Sequence, residues 1–134
     1  MKNYKGVIIE ESLADASVLN KVKILSTKIE PVTDEHKTPW IKQWTMHDVE
    51  IEADKAEEIA EIISKSLDTT HSAWYADFKN EAIHYVIYAN KIFNIHRDKK
   101  EEYRSATDYG ISIGIPDYQV DFSDYIQKWE RETQ

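Results

Sequence analysis

Between Ala73 and Arg97 apolar and polar positions alternate with a period of two, the pattern of pleated strands whose successive side chains point to opposite faces. Polar breaks at Asn80-Glu81 and Asn90-Lys91 divide the stretch into a three-stranded antiparallel meander. With those pairs as two-residue turns, Tyr88 lies near Phe93, Val86 near Ile95, His84 opposite Arg97, and Asp77 opposite His84. One face then carries Trp74, Ala76, Phe78, Ile83, Tyr85, Ile87 and Ile92, a core face, with Asn94 and His96 towards its third strand. The other carries Tyr75, Val86, Tyr88, Phe93 and Ile95, together with a polar row of Asp77, His84 and Arg97.

The flanking segments follow the same logic. β-Branched residues favour strands at Lys5 to Glu10 and Lys21 to Val32, joined through Ser12 to Leu19, which has room for a helical turn. Pro31 and Pro39 bracket a polar loop, and Trp40 to Ile51 reads as extended. Trp44 and Met46 are out of step there with His47, Val49 and Ile51, which predicts a bulge or bend near Thr45.

Helical spacing takes over after Asp54: Ala56, Ile59, Ala60, Ile63 and Leu67 share one face, and Asp54 with Glu57 fits a capping box. Asp98 and Glu101 predict a second capping box, for a helix running to about Ile113 and stopped by Gly114, Ile115 and Pro116 in a Schellman arrangement. Tyr118, Val120 and Phe122 alternate as a short extended segment, and Ser123 could cap a last helical piece bearing Ile126 and Trp129. The expected fold is α+β: a mainly antiparallel sheet of five or six strands, with two main helices packed on the face of Trp74, Phe78 and Ile87.

Composition bounds what such a chain can be. Its 134 residues suffice to bury a core, and 41% hydrophobic content with three glycines and three prolines argues against disorder, so one globular domain over 1–134 is expected. The absence of cysteine excludes disulfides, thiolate metal sites and a cysteine nucleophile, and suits a reducing cytosol. The opening MKNYKGVIIEES has too short an apolar run for a signal peptide, and no stretch approaches a membrane span; a cytoplasmic protein without a membrane partner is expected. A net charge of −8, densest between Glu50 and Glu61, disfavours a nucleic-acid partner. Lys91, Arg97, Lys99, Lys100 and Arg104 form a local basic group, but Asp98, Glu101 and Glu102 interleave with it, as on a solvated mixed-charge face.

Several constellations bear on chemistry. Gly110-Ile111-Ser112-Ile113-Gly114 matches the G-x-S-x-G nucleophile elbow in letters, yet a helix enters it where a strand should, so small residues at a helix end are the better account. His36, His47, His71, His84 and His96 show neither i, i+4 spacing nor H-E-x-x-H, and no metal is expected. Without a Walker loop or G-x-G-x-x-G, no cofactor is implied. In the row of Asp77, His84 and Arg97, a carboxylate would fix the imidazole and a guanidinium could hold an anion, making a candidate acid/base or anion site. Trp40, Trp44, His47, Trp74 and Tyr75 form a candidate aromatic binding surface.

TPWIKQWTMHDVEI, AWYADFKNEAIHYVIYANKIFNIHR and YGISIGIPDYQVDF resemble stretches of a family of small prokaryotic proteins of uncharacterised function, across most of the chain. That resemblance implies a compact stand-alone protein and brings no activity, cofactor or catalytic residue with it.

The aromatic face of Tyr75, Val86, Tyr88, Phe93 and Ile95 should be covered by the N-terminal strands, a ligand or a partner subunit. The expected function is therefore that of a small binding or interaction module, a homodimer or a contact for another protein. The alternative is a small enzyme or anion-binding protein centred on His84, with Asp77 orienting the ring and Arg97 holding a carboxylate or phosphate.

Overall fold

A computed structural model describes residues 2–33, 41–70 and 73–122. Among these residues six strands form one sheet: β1 (Tyr4–Ile9), β2 (Lys23–Pro31), β3 (Gln43–Ile51), β4 (Tyr75–Lys79), β5 (Ile83–Tyr88) and β6 (Lys91–His96). Their order is β2-β3-β1-β4-β5-β6, and every neighbouring pair is antiparallel. Two α-helices, α1 (Ala56–Ser66) and α2 (Lys100–Ser112), complete the α+β fold that the hydrophobic pattern predicts.

The first strand in sequence lies in the middle of the sheet. It joins the β2-β3 hairpin on one side to the β4-β5-β6 meander on the other, with Gly6 opposite both Val49 and Phe78. Glycine is required there by space. A Cβ on Gly6 would press on the Asp77 carbonyl oxygen and stand 2.6 Å from the Phe78 Cα, both backbone atoms that cannot swing away.

In the meander the register is Asp77 to Val86, Lys79 to His84, Val86 to Phe93 and His84 to Ile95. Each pairing is two residues away from the one expected of Asn80-Glu81 and Asn90-Lys91 turns. The second turn is centred on Ala89-Asn90, where Asn90 adopts a φ of 61° that asparagine tolerates well. At the first, Asn80 accepts hydrogen bonds through its side chain from the amides of Ala82 and Ile83, lengthening the turn. A slip of two keeps every side chain on its face, so the predicted sorting of faces holds while the direct partners change.

One face packs on α1. Ala56, Ile59, Ala60 and Ile63, with Leu67 just after the helix, join Tyr4, Ile8, Val49, Ile51, Trp74, Phe78 and Ile87 in the larger core. Against the expectation, α2 does not share that face. Tyr103 and Ala106 pack with Val86, Tyr88 and Ile95, and Ile115, Val120 and Phe122 extend this second core, so the chain itself covers the aromatic face of the meander. The short run Asp117–Gln119 is a 3-10 turn rather than extended, and it brings Val120 and Phe122 down onto the sheet.

Local chemistry differs from the pattern in three further places. No bulge lies near Thr45; the irregularity is in β2, between Ile24 and Ser26. Trp44 and Met46 on one side and Val49 and Ile51 on the other are all at least partly buried, so β3 is apolar on both faces without a change of phase. Neither capping box forms. Lys55 and Lys99 hold the N-cap positions without a side-chain bond, α1 is led in by a 3-10 turn at Ala53–Lys55, and Glu102 accepts the His96 amide at 2.9 Å. The C-terminus of α2 does follow the Schellman pattern: the Ile115 amide donates to Gly110, the Gly114 amide to Ile111, and Gly114 has a φ of 102°. The final helical piece expected after Ser123 lies outside the described residues.

Two predictions follow from this packing. Gly6→Ala should cost about 3 kcal/mol, because the clash is with backbone, and denaturant unfolding measures it. The second concerns alkaline pH. Burial, then the neighbouring Tyr109 and Asp77, pushes the Tyr88 phenol far above its ordinary value of 10.0. Burial likewise raises Tyr4 and Tyr85. Stability from these neutral phenols is fully present below pH 10.0 and is lost as the pH climbs beyond it towards their raised values. The melting temperature should therefore fall steeply above that pH. Tyr88→Phe should flatten the fall while costing about 1 kcal/mol at neutral pH for its lost hydrogen bond to the Ala106 carbonyl.

Candidate functional site

On the face that carries α2, strands β3, β1 and β4 set Trp44 and Met46, Val7 and Ile9, and Tyr75 and Asp77 side by side; Val7 pairs with Asp77 and Ile9 with Met46. The segment after α2 lies over the meander and supplies the facing wall through Ile115, Tyr118 and Gln119. Between them is a cleft of about 350 Å³, also lined by Ala73 and Trp74. Tyr75 anchors the wall by donating its hydroxyl proton to the Gln119 carbonyl at 2.6 Å. The Trp44 and Trp74 rings meet at a centroid distance of 5.5 Å, tilted by 58°.

Asp77 is the one charged residue among the described residues lining this cleft. Its side chain is 17% exposed, and Oδ2 lies 2.7 Å from Nε2 of His84, which is fully buried. The other imidazole nitrogen, Nδ1, is 3.0 Å from the Tyr103 hydroxyl. A carboxylate can only accept, so Nε2–H donates to Asp77, and the Tyr103 hydroxyl bonds to the other ring nitrogen. Tyr103 and Phe122 pack edge-on against the ring and exclude water from it. The result is a hydrogen-bonded chain, Tyr103 to His84 to Asp77, that begins in the second core and ends at the cleft.

The predicted row is thus realised in part. Asp77 and His84 meet although they are diagonal rather than direct neighbours, within the reach of long side chains across a sheet. Arg97 Nη1 donates to the Asn80 carbonyl at 2.7 Å and does not line the cleft. Lys79, two residues from Asp77 on the same face, senses both groups: burial lowers its ammonium pKa first, Asp77 opposes this, and Arg97 adds to it.

Of the predicted aromatic surface, Trp44, Trp74 and Tyr75 surround the cleft and Trp40 lies outside the described residues. His47 is apart from them, on the opposite face, with Nε2 2.9 Å from Glu10 and Nδ1 2.9 Å from the Thr27 hydroxyl. Ser112 Oγ donates to the Tyr109 carbonyl, and Gly110 sits under the Tyr88 hydroxyl and Val120, as small residues at a packed helix end. Among the described residues no group of three histidines, aspartates or glutamates is placed to hold a metal ion, and no helix is long and apolar enough to cross a membrane.

Val7, Ile9 and Met46 were legible as strand positions but not as cleft walls, because the central placement of β1 is what brings them together. Tyr103 could have been found from its helical spacing with Ala106 and Gly110, though its bond to His84 depends on which face α2 covers. The chain matches no family model, no curated protein and no solved structure.

Because Tyr103 and Asp77 act on one imidazole, their removal should be non-additive. Tyr103→Phe should cost about 1 kcal/mol and Asp77→Asn about 2 kcal/mol, with the double variant costing less than their sum. A double-mutant cycle by denaturant unfolding measures this, and strict additivity would show that the chain is not a coupled unit.

Proposed function

We propose that this protein is a small-molecule binding module whose ligand lies in the cleft between β3-β1-β4 and the segment after α2. The supporting observation is a carboxylate, Asp77, held in place by a buried imidazole within a lining that is, among the described residues, otherwise uncharged and largely apolar and aromatic. Ligand sites have this composition: apolar walls supply affinity, and a few fixed polar groups supply orientation. A volume of about 350 Å³ is within the usual range for small-molecule sites. His84 is sealed from solvent, so it acts on a ligand only through Asp77, as a positioning residue.

The hydrogen-bonded chain also favours a second reading, in which Asp77 is a general base. A base must reach the proton it removes; in this reading the carboxylate, which lines the cleft, would do so with the imidazole behind it orienting it. This inverts the roles first expected of the pair.

The binding reading is tested with N-phenyl-1-naphthylamine, a neutral aromatic fluorophore. Saturable binding is expected, weakened at least tenfold by Trp44→Ala, which removes cleft wall from a partly buried position. Absence of saturable binding, or equal binding by the folded Trp44→Ala variant, would overturn it.

A further inference from the structure

We infer that the ligand of this cleft is an organic ammonium ion, an arylalkylamine in its protonated form. The inference rests on the cleft being a ligand site and specifies the chemistry that the site selects.

Charge is the first argument. Asp77 supplies a carboxylate, and no cationic side chain lines the cleft among the described residues. Among those residues, only Nε2 of His84 donates a hydrogen bond to the Asp77 carboxylate, which has room for further donors because two oxygens offer about four acceptor positions. An ammonium group brings up to three donors and the complementary charge. A carboxylate or phosphate ligand would bring only acceptors and a second negative charge.

The lining is the second. Trp44, Trp74, Tyr75 and Tyr118 line the same cleft as the carboxylate with aromatic surface, whose π-electrons attract cations and whose area accepts a flat apolar group. An ammonium ion with an attached ring satisfies both features at once, whereas a hydrated inorganic cation would leave the apolar walls unused. Among the described residues, no three acidic or imidazole groups converge here to replace the water shell of a metal ion.

The nearest competitor is Lys79. Among the described residues it lies beyond the cleft lining. The net charge of −8 further concentrates cations around the protein and repels anions.

Three probes of similar shape separate the possibilities: 2-phenylethylammonium, 2-phenylethanol and phenylacetate, each titrated at pH 7 into the full chain while the indole N–H resonances of Trp44 and Trp74 are followed by NMR. The ammonium should bind at least tenfold more tightly than the alcohol, with phenylacetate weakest. Asp77→Asn should abolish the preference while retaining the alcohol's affinity. Equal or tighter binding of the alcohol or the acid by the wild-type chain would overturn the ammonium assignment and leave the cleft as a neutral-ligand or anion site. Failure of all three to shift either indole would overturn the assignment together with the ligand-site reading beneath it. The wild-type comparison decides between these outcomes whether or not the variant folds.

Discussion

Everything in this fold is arranged about the seam where β1 meets β4. A strand from the N-terminus enters between a hairpin and a meander that are otherwise separate in the sheet, and it can do so because Gly6 lets the two backbones approach at Phe78. The seam makes one sheet of two local units. It also places Val7 beside Asp77, so the cleft exists only because this non-local pairing closes. Since the pairing closes a loop of about half the chain, it carries a loop-closure cost that must be offset by core contacts on both faces.

Those contacts divide into two cores of different character. On the α1 face the packing is aliphatic with a small aromatic group, where Tyr4, Phe78 and Tyr85 meet at centroid distances of 4.9 to 5.4 Å. The α2 face is richer in tyrosine, and its hydroxyls must find acceptors once buried. Tyr88 bonds to the Ala106 carbonyl and Tyr75 to that of Gln119. These bonds tie α2 and the segment after it to the sheet at fixed points, which specifies their position more narrowly than apolar contact alone.

His84 is the most demanding member of this core. A fully buried imidazole is costly unless both nitrogens are satisfied, and here one is bonded to Tyr103 and the other to Asp77. Satisfying it draws a carboxylate to the edge of an apolar cleft, where it remains partly exposed to solvent. The same hydrogen bond therefore satisfies the core and orients a group at the cleft. The imidazole stabilises the core by being paired, and its pairing fixes the direction of the Asp77 carboxylate at the cleft.

Alternation alone determined which side of each meander strand Asp77, His84, Tyr88 and Phe78 occupy, and helical spacing determined the inner face of α1 and the end of α2. Both depend on periods of two and 3.6 that neighbouring residues impose on one another. The turn centres were one residue off, which moves each cross-strand pairing by two, and the faces survived because a shift of two restores the pleat. Which strand sits beside which, and which face receives α2, was decided only in tertiary structure. An amphipathic helix has the same pattern whichever apolar surface it covers, and a strand carries no local record of its partner. The polar row was therefore visible in the sequence, but the cleft at its end was not: three of its walls come from segments that meet only after β1 has entered the centre of the sheet.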